Sequence, residues 1–294
     1  MLIIGLDGAE YSVIEKGHYP HLKQAEFGTV EINVKPLFSP LIWASFITGK
    51  VKAEHEIRGM HRWRSGFIDR LRNWSLEAGM SRGRIGRSLV RLGSLLGSLG
   101  FRTRPYDKSD LGASTIFDYV DKPVAVSIPS YNEAPINQVV RTKEVDALRS
   151  GSRRLMKDAE ELVWRVFREK REAVLRRLTE DWNLFMVHFY LLDPLQHLFW
   201  YDSERIARAY EEAEATVKSV QDGMPDDCLL LIVSDHGHQK GMHTPYGFYS
   251  CNEKLGLKNP KITDFAGVVR SYFGLPSREE EMEIYRRLKS LGYV

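Results

Sequence analysis

Short runs of apolar and β-branched residues alternate along this chain with longer stretches that repeat apolar residues about every 3.6 positions. Five runs predict strands: LIIGL (2–6), TVEINV (29–34), PVAVSI (123–128), NLFMVHFY (183–190) and CLLLIVS (228–234). Two stretches predict amphipathic helices, at about 153–179 and about 203–221. Strands that alternate with helices of this length are typical of an α/β layered sheet, and the unbroken apolar runs indicate strands buried on both faces.

The composition is that of a folded intracellular domain. Of the 294 residues, 43% are hydrophobic, which is enough to bury a full core. No stretch approaches the ~18 apolar residues of a membrane-spanning helix. The opening run MLIIGLDG is interrupted at Asp7, which argues against a secretory signal peptide. Cys228 and Cys251 are too few for a disulfide framework, so we expect a cytoplasmic protein.

Side chains with metal-binding chemistry directly follow three of the predicted strands. They are Asp7, then Asp193 and His197, then Asp235, His236, His238 and His243. Because ligands of open α/β sheets collect outside the carboxyl ends of the strands, these side chains are expected to meet at one edge. Carboxylate and imidazole donors together favour Zn, Mn or Fe over Ca. Burying them side by side is costly without a cation, so the sequence predicts a divalent-metal site.

Taken singly, several of these residues have other interpretations. Asp7 before a glycine is typical of a turn, and Asp193 before a proline is typical of a helix N-cap. His188 lies inside a predicted strand and is interpreted as a core histidine.

Ser39 is the candidate nucleophile. It precedes Pro40 in a segment that predicts a helix ending at Gly49, so we expect Ser39 to be the N-cap of that helix. A hydroxyl at a helix N-terminus also lies where backbone N–H groups bind phosphate. Either role fits the residue considered alone.

Four motifs in order resemble the alkaline phosphatase superfamily, and more closely its type I phosphodiesterase/nucleotide pyrophosphatase branch: LDGAE, PLFSPLIWASFITGK, LLDPLQH and VSDHGHQKGMH. The resemblance covers about residues 1–60 and 110–275. It implies a three-layer sandwich with a mostly parallel central sheet and helices on both faces. It also implies a catalytic core over 1–60 and 110–294, with 61–109 as a small basic helical cap insertion.

The resemblance further implies two divalent metal ions, with Zn or Mn expected. One ion would be held on the nucleophile side by Asp7, Ser39, Asp235 and His236, and the other by Asp193, His197 and His243. His238 is the main rival to His243. Ser39, ten residues before Gly49, stands at the position of the family nucleophile and would form a covalent phosphoserine. His55 is interpreted as structure close to the site.

One position departs from the family pattern. Nucleotide pyrophosphatases of this type usually place an Asn about 21 residues after the nucleophile to bind a non-bridging phosphate oxygen, and Met60 stands there in this chain. We expect backbone N–H groups, or the nearby Arg58, His61 or Arg62, to bind that oxygen instead.

The region 58–108 is strongly basic, with eleven Arg and one Lys against three acidic residues, within a net charge of +3. Its stretch 82–99 predicts a basic amphipathic helix. We interpret this helix as a cap packed on its own domain or on a partner; the alternative is peripheral contact with an anionic membrane. The charge is expected to attract phosphate-bearing substrates, whereas no recognised motif points to nucleic acid.

The expected function is metal-dependent hydrolysis of a small phosphate ester, with a phosphodiester or pyrophosphate favoured over a monoester and a nucleotide among the candidates. Two alternatives stay open. One is a phosphomutase or phosphotransferase of the same superfamily, and the other is a non-catalytic, metal-stabilised binding protein that uses the basic insertion.

Overall fold

The computed structural model describes residues 1–63 and 103–277, together with 280, 283, 286, 287 and 289. The strands are β1 (Leu2–Leu6), β2 (Glu26–Glu31), β3 (Arg62–Trp63), β4 (Thr103–Arg104), β5 (Pro123–Val126), β6 (Leu184–Phe189), β7 (Leu230–Val233), β8 (Gly237–Gln239), β9 (Met242–Thr244) and β10 (Tyr246–Cys251). The α-helices are α1 (Tyr11–Lys16), α2 (Ser39–Thr48), α3 (Lys52–His55), α4 (Pro135–Ser150), α5 (Arg153–Arg177), α6 (Leu192–Phe199), α7 (Ser203–Gly223) and α8 (Phe265–Tyr272).

A six-stranded sheet in the order β2–β10–β7–β1–β6–β5 forms the centre of the fold. The four adjacent strands β7, β1, β6 and β5 are parallel to one another, and β10 pairs antiparallel with both β7 and β2. The prediction of a mostly parallel sheet is therefore confirmed. Strand β1 lies between β6 and β7, so the chain segments that follow these three strands emerge side by side.

Helices cover both faces of the sheet. On one face, α5, α6 and α7 pack against alternate strand residues such as Leu2 and Ile4 of β1. On the other face, α2 and α8 pack against the residues between them, such as Ile3. Because side chains alternate along a strand, a strand buried on both sides is apolar throughout, which explains the unbroken runs in the sequence.

The helix boundaries follow local capping chemistry. Ser152 Oγ accepts a hydrogen bond from the Leu155 N–H at 3.5 Å at the start of α5, and an Asp202 carboxylate oxygen accepts from the Arg205 N–H at 3.1 Å at the start of α7. Helix α2 ends at Gly49, which has the left-handed backbone conformation typical of a C-terminal stop. The helices predicted at 153–179 and 203–221 agree with α5 and α7 to within two residues at each end.

Three local predictions were wrong. The strand expected at 29–34 is β2, at 26–31, because its antiparallel partner β10 begins at Tyr246, directly after Pro245. The Pro245 carbonyl still accepts from the Ile32 N–H at 2.9 Å, but proline has no N–H with which to continue the ladder. Ser39 is the first residue of α2, and Phe38 rather than Ser39 is its N-cap. Asp193 lies within α6 and does not cap it.

The ribbon of β3 and β4 marks the base of the predicted insertion. Arg62 and Arg104 are opposite each other in this ribbon. Like charges in such a pair repel, and the buried carboxylate of Asp110 offsets the repulsion by pairing with both guanidinium groups. The predicted cap helix at 82–99 lies outside the described residues. Within the part of the chain that the structure describes, no helix combines the length and apolar character needed to cross a membrane.

Candidate metal centre

The topology brings three acidic residues together at the carboxyl edge of the sheet. Asp7 follows β1, Asp193 follows β6 and Asp235 follows β7. Backbone hydrogen bonds continue the pairing beyond the strands, because the Asp193 N–H donates to the Asp7 carbonyl at 3.1 Å. The Gly8 N–H donates to Asp235 Oδ1 at 3.2 Å. The edge predicted from the sequence is thus where these carboxylates meet.

Two groups of side chains place potential ligand atoms within 4.8 Å of one another: Asp7, Asp193 and His236 form one, and Asp193, His197, His238 and His243 form the other. Asp193 belongs to both groups. Asp235 lies beside the first, with its Oδ2 3.6 Å from His236 Nε2. Ligand atoms bound to one ion at about 2 Å lie at most about 4 Å apart, so the side chains need little movement to bind an ion.

The second group converges on one oxygen. Asp193 Oδ1 lies 3.3 Å from His197 Nε2 and 3.2 Å from His243 Nε2. The two imidazole nitrogens are themselves 2.8 Å apart. His238 Nε2 lies 3.3 Å from His197 Nδ1. The structure therefore brings His238 and His243 to the same place, and does not select one over the other.

Three of the imidazoles are oriented by backbone carbonyls. His236 Nδ1 lies 3.1 Å from the Gly237 carbonyl and His243 Nδ1 lies 3.1 Å from the Leu37 carbonyl. His197 Nδ1 lies 3.2 Å from the carbonyl of Gly241. A carbonyl oxygen only accepts, so each Nδ1 carries the proton and donates it. Each Nε2 is thereby directed at the carboxylates and is the nitrogen that would bind a metal ion once deprotonated.

Buried polar atoms without hydrogen-bond partners show that the site fits a cation. Asp193 Oδ1, Asp235 Oδ2 and His236 Nε2 are all buried and lack a hydrogen-bond partner among the described residues. Such atoms are rare in folded proteins because burial without a partner costs free energy. Two carboxylate oxygens and an imidazole lone pair in one pocket are instead a natural donor set for a divalent metal.

The electrostatics of the carboxylates support the same conclusion. Burial, and then the neighbouring Asp193, raise the pKa of Asp7 well above its ordinary value. Burial and Asp7 raise the pKa of Asp235 to about 6. Burial also acts to raise the pKa of Asp193, but its contacts with His197 and His243 outweigh that effect and hold the pKa well below the usual range. Three buried carboxylates this close cannot all be ionised without positive charge between them.

Ser39 lies at the first group of ligands. It is buried at the first turn of α2, and its Oγ donates a hydrogen bond to Asp7 Oδ1 at 3.3 Å. The Leu41 and Ile42 N–H groups both donate to the Phe38 carbonyl, so these two donors are engaged within the helix. The hydroxyl is therefore held by a carboxylate of the centre.

His188 belongs to the site although the sequence suggested a core histidine. Its Nε2 lies 3.0 Å from Asp7 Oδ2, and the side chain is fully buried. Burial and the nearby Lys170 ammonium lower the pKa of His188 to about 3, so the imidazole is neutral. No sequence signal identified this contact, because which strands are neighbours is known only from the order of the sheet.

Four other predicted residues lie away from the two ligand groups. His55 is fully buried and contacts the Ser45 hydroxyl, in keeping with a structural role. His61 Nε2 lies 2.7 Å from Gln138 Oε1, and Arg62 pairs with Asp110. Arg58 is half-buried. The substrate contact expected of Arg58, His61 or Arg62 stays a prediction.

Fold and site together define an α/β protein with a buried cluster of carboxylates and histidines, able to hold a metal ion, next to a buried serine. The family model for type I phosphodiesterase/nucleotide pyrophosphatase matches residues 1–272, so the chain belongs to that family. The membership confirms the resemblance drawn from the four motifs and fits the alkaline phosphatase superfamily. No curated protein sequence matches the chain.

Solved structures with low sequence identity are similar to this chain. The murine ectonucleotide pyrophosphatase/phosphodiesterase 5 has a TM-score of 0.47 at 15% identity, covering 80% of this chain and 56% of its own. Wild-type alkaline phosphatase PafA has a TM-score of 0.47 at 11% identity, covering 80% and 62%. The PH0037 protein of Pyrococcus horikoshii has a TM-score of 0.47 at 12% identity, covering 94% and 97%. The chain thus spans little more than half the length of the murine protein.

Proposed function

We propose that this protein hydrolyses phosphate esters of small molecules through a phosphoserine on Ser39 and a centre that holds two divalent ions. Phosphodiesters or pyrophosphates are favoured over monoesters. One observation carries the proposal: buried carboxylate and imidazole atoms that lack hydrogen-bond partners among the described residues converge beside the hydroxyl of Ser39. The family membership supports the ester class, and the same donor set supports Zn or Mn.

The residues divide into two ligand sets, which lie at the same carboxyl edge of the central sheet. Asp7, Asp235 and His236, with Ser39, would hold the ion on the nucleophile side. Asp193 and His197, with His243 or its rival His238, would hold the other ion. Bound divalent cations supply activation of a hydroxyl near neutral pH and stabilisation of charge on phosphate oxygens.

The serine performs the covalent chemistry. Asp7 Oδ1 accepts the Ser39 hydroxyl proton in a hydrogen bond and so orients the oxygen before attack. The Ser39 oxygen forms a bond to phosphorus as the bond from phosphorus to the leaving group breaks, and the leaving group departs with a proton. Water then cleaves the bond between Ser39 and phosphorus, which releases phosphate or its monoester and restores the hydroxyl.

The test combines metal analysis with a matched pair of serine variants. Ser39→Ala should keep its bound metal but lose turnover of bis-p-nitrophenyl phosphate by roughly 10³-fold or more, because the nucleophile is absent. Ser45→Ala is the control, since Ser45 lies buried on the same helix and donates its hydroxyl to the Leu41 carbonyl at 3.1 Å. It should keep the turnover of the wild type.

The assay is run with Mn²⁺ or Zn²⁺ returned to metal-free protein, on the bis-p-nitrophenyl diester and on p-nitrophenyl phosphate. Dominant cleavage of the diester is the expected result. Full activity in Ser39→Ala would exclude the phosphoserine. Cleavage of the monoester alone would overturn the substrate preference, and a wild type that binds neither metal would overturn the whole proposal.

A further inference from the structure

His188 is a buried side chain that the hydrolysis described above does not use, although it contacts the centre. It lies in β6 directly opposite Gly5 of β1. Trp43 of α2 packs over Gly5 and presents its ring edge-on to the imidazole, with centroids 5.1 Å apart. Strand β1 and helix α2 therefore together fix the position of the His188 imidazole.

The two oxygens of Asp7 serve different partners. His188 Nε2 lies 3.0 Å from Oδ2. Ser39 Oγ lies 3.3 Å from Oδ1, and His236 Nε2 lies 3.5 Å from Oδ1. A hydrogen bond donated to Oδ2 prevents the carboxylate from rotating. It thereby directs Oδ1 to the side where the nucleophile and the ligand imidazole are found.

The backbone behind His188 is also held in place. Lys170 Nζ donates to the His188 carbonyl at 3.0 Å and to Ser127 Oγ at 3.1 Å. The ring itself makes only part of its possible contacts, because Nδ1 is buried without a hydrogen-bond partner among the described residues. A side chain needed only to fill this space would be apolar, since a buried polar atom without a partner costs free energy. The contact with Asp7 accounts for the histidine.

We propose that His188 is a positioning residue that orients Asp7 as a ligand and as the hydrogen-bond acceptor of Ser39. This inference rests on the proposed function. Groups that hydrogen-bond to metal ligands fix the ligand geometry, and their loss typically weakens metal affinity by about 10- to 100-fold.

The test compares two substitutions by titrating Mn²⁺ into metal-free protein and following free Mn²⁺ by electron paramagnetic resonance. His188→Leu removes the donor at similar volume and should weaken one class of Mn²⁺ sites by about 10- to 100-fold. The class that contains His197 and His243 should keep its affinity. His188→Gln can place an amide N–H near the position of Nε2 and should restore most of the lost affinity.

Met186→Leu is the matched control, because Met186 is fully buried on the same face of the same strand and belongs to the apolar cluster that contains Trp43. It should bind Mn²⁺ as the wild type does. If His188→Leu does not fold, the comparison moves to His188→Asn, whose shorter amide cannot reach Asp7 and which should bind Mn²⁺ more weakly than His188→Gln.

Equal Mn²⁺ affinity in the wild type and His188→Leu would overturn the positioning role. So would equal losses in His188→Leu and His188→Gln, since a packing defect does not depend on a hydrogen-bond donor. If the proposed function is wrong, the result is different: the wild type itself would bind neither Mn²⁺ nor Zn²⁺. That result would overturn both the proposed function and the positioning role of His188.

Discussion

At the scale of single residues, the protonated nitrogen of each imidazole decides what that imidazole can do. In the centre, His236, His197 and His243 donate hydrogen bonds from Nδ1 to backbone carbonyls and direct Nε2 at the carboxylates. His55 has the opposite arrangement, because its Nδ1 accepts from the Ile57 N–H at 3.1 Å and its Nε2 lies 2.9 Å from Ser45 Oγ. Backbone geometry therefore separates ligand histidines from a structural one.

The structural role of His55 leads to a prediction about stability and pH. Burial lowers its pKa from 6.5 to about 4. Below pH 6.5, His55 binds a proton in the unfolded chain but stays neutral in the folded chain until the pH nears 4. The free energy of unfolding therefore falls as the pH drops. Between pH 6.5 and pH 4 this one residue should account for a loss of about 3 kcal/mol.

Urea unfolding of the wild type and His55→Asn between pH 7.5 and pH 4 measures this effect. The Asn can still accept from the Ile57 N–H but does not titrate, so the variant should be less stable at pH 7.5 and approach the wild type as the pH falls. A difference in free energy of unfolding that stays constant over this range would contradict the prediction.

The clustering of most candidate ligands could be predicted because they directly follow strands, where parallel topology leaves only one edge for them to meet. Asp7, Asp193 and Asp235 are of this kind. His188 could not be predicted, because alternation along a strand gives the face of a residue but not its neighbour across the sheet. The position of His238 depends on the short β8–β9 hairpin, which pairs it with His243. No sequence pattern predicted this hairpin.

At the scale of elements, the turn between β1 and the centre depends on one glycine. Gly8 has a φ of +72°, and a Cβ placed there would lie 2.9 Å from Asp193 Cβ. The backbone of the turn therefore approaches α6 more closely than any residue with a side chain permits. The approach brings Asp7 and Asp193 together.

Gly8→Ala should disrupt this approach, and Gly151→Ala is its matched control. Gly151 also has a positive φ, of +62°, but a Cβ there meets nothing within 4 Å. Both variants should lose about 1–2 kcal/mol of stability from backbone strain. Only Gly8→Ala should also lose Mn²⁺ affinity, measured by the same titration; equal affinity in the two variants would show that the turn does not determine the centre.

The elements themselves were partly predictable. The strongly periodic helices α5 and α7 and the apolar strand β1 match their predictions closely. Strand β10 was missed, although it is buried along most of its length, because it mixes polar and aromatic residues. Its antiparallel pairing then determines where β2 ends, so the error at β2 follows from the omission of β10.

At the scale of the whole molecule, the metal centre joins the parallel strands β6, β1 and β7 at their carboxyl ends. Its carboxylates come from chain positions far apart in sequence, and they repel one another without a cation. Metal binding should therefore be coupled to the stability of the whole fold, since an ion that binds only the folded state stabilises it.

Removal of metal should lower the melting temperature by several degrees. Saturation at about 100 times the dissociation constant contributes about 2.7 kcal/mol, and each kcal/mol shifts the melting temperature by about 2–4 °C in a domain of this size. Differential scanning calorimetry with Mn²⁺, Zn²⁺, Ca²⁺ or a chelator measures the shift. Ca²⁺ should have the smallest effect because imidazole donors do not suit it; a melting temperature unchanged by chelation would contradict the coupling.

Arg62 and Arg104 pair across the β3–β4 ribbon and both bind Asp110, so the two ends of the segment between them are held next to each other. The length and sequence of the segment between Arg62 and Arg104 can change while the rest of the fold is preserved, because closing a longer loop costs little additional entropy. Relatives with the same central sheet are therefore expected to carry insertions of unrelated size and charge at this position.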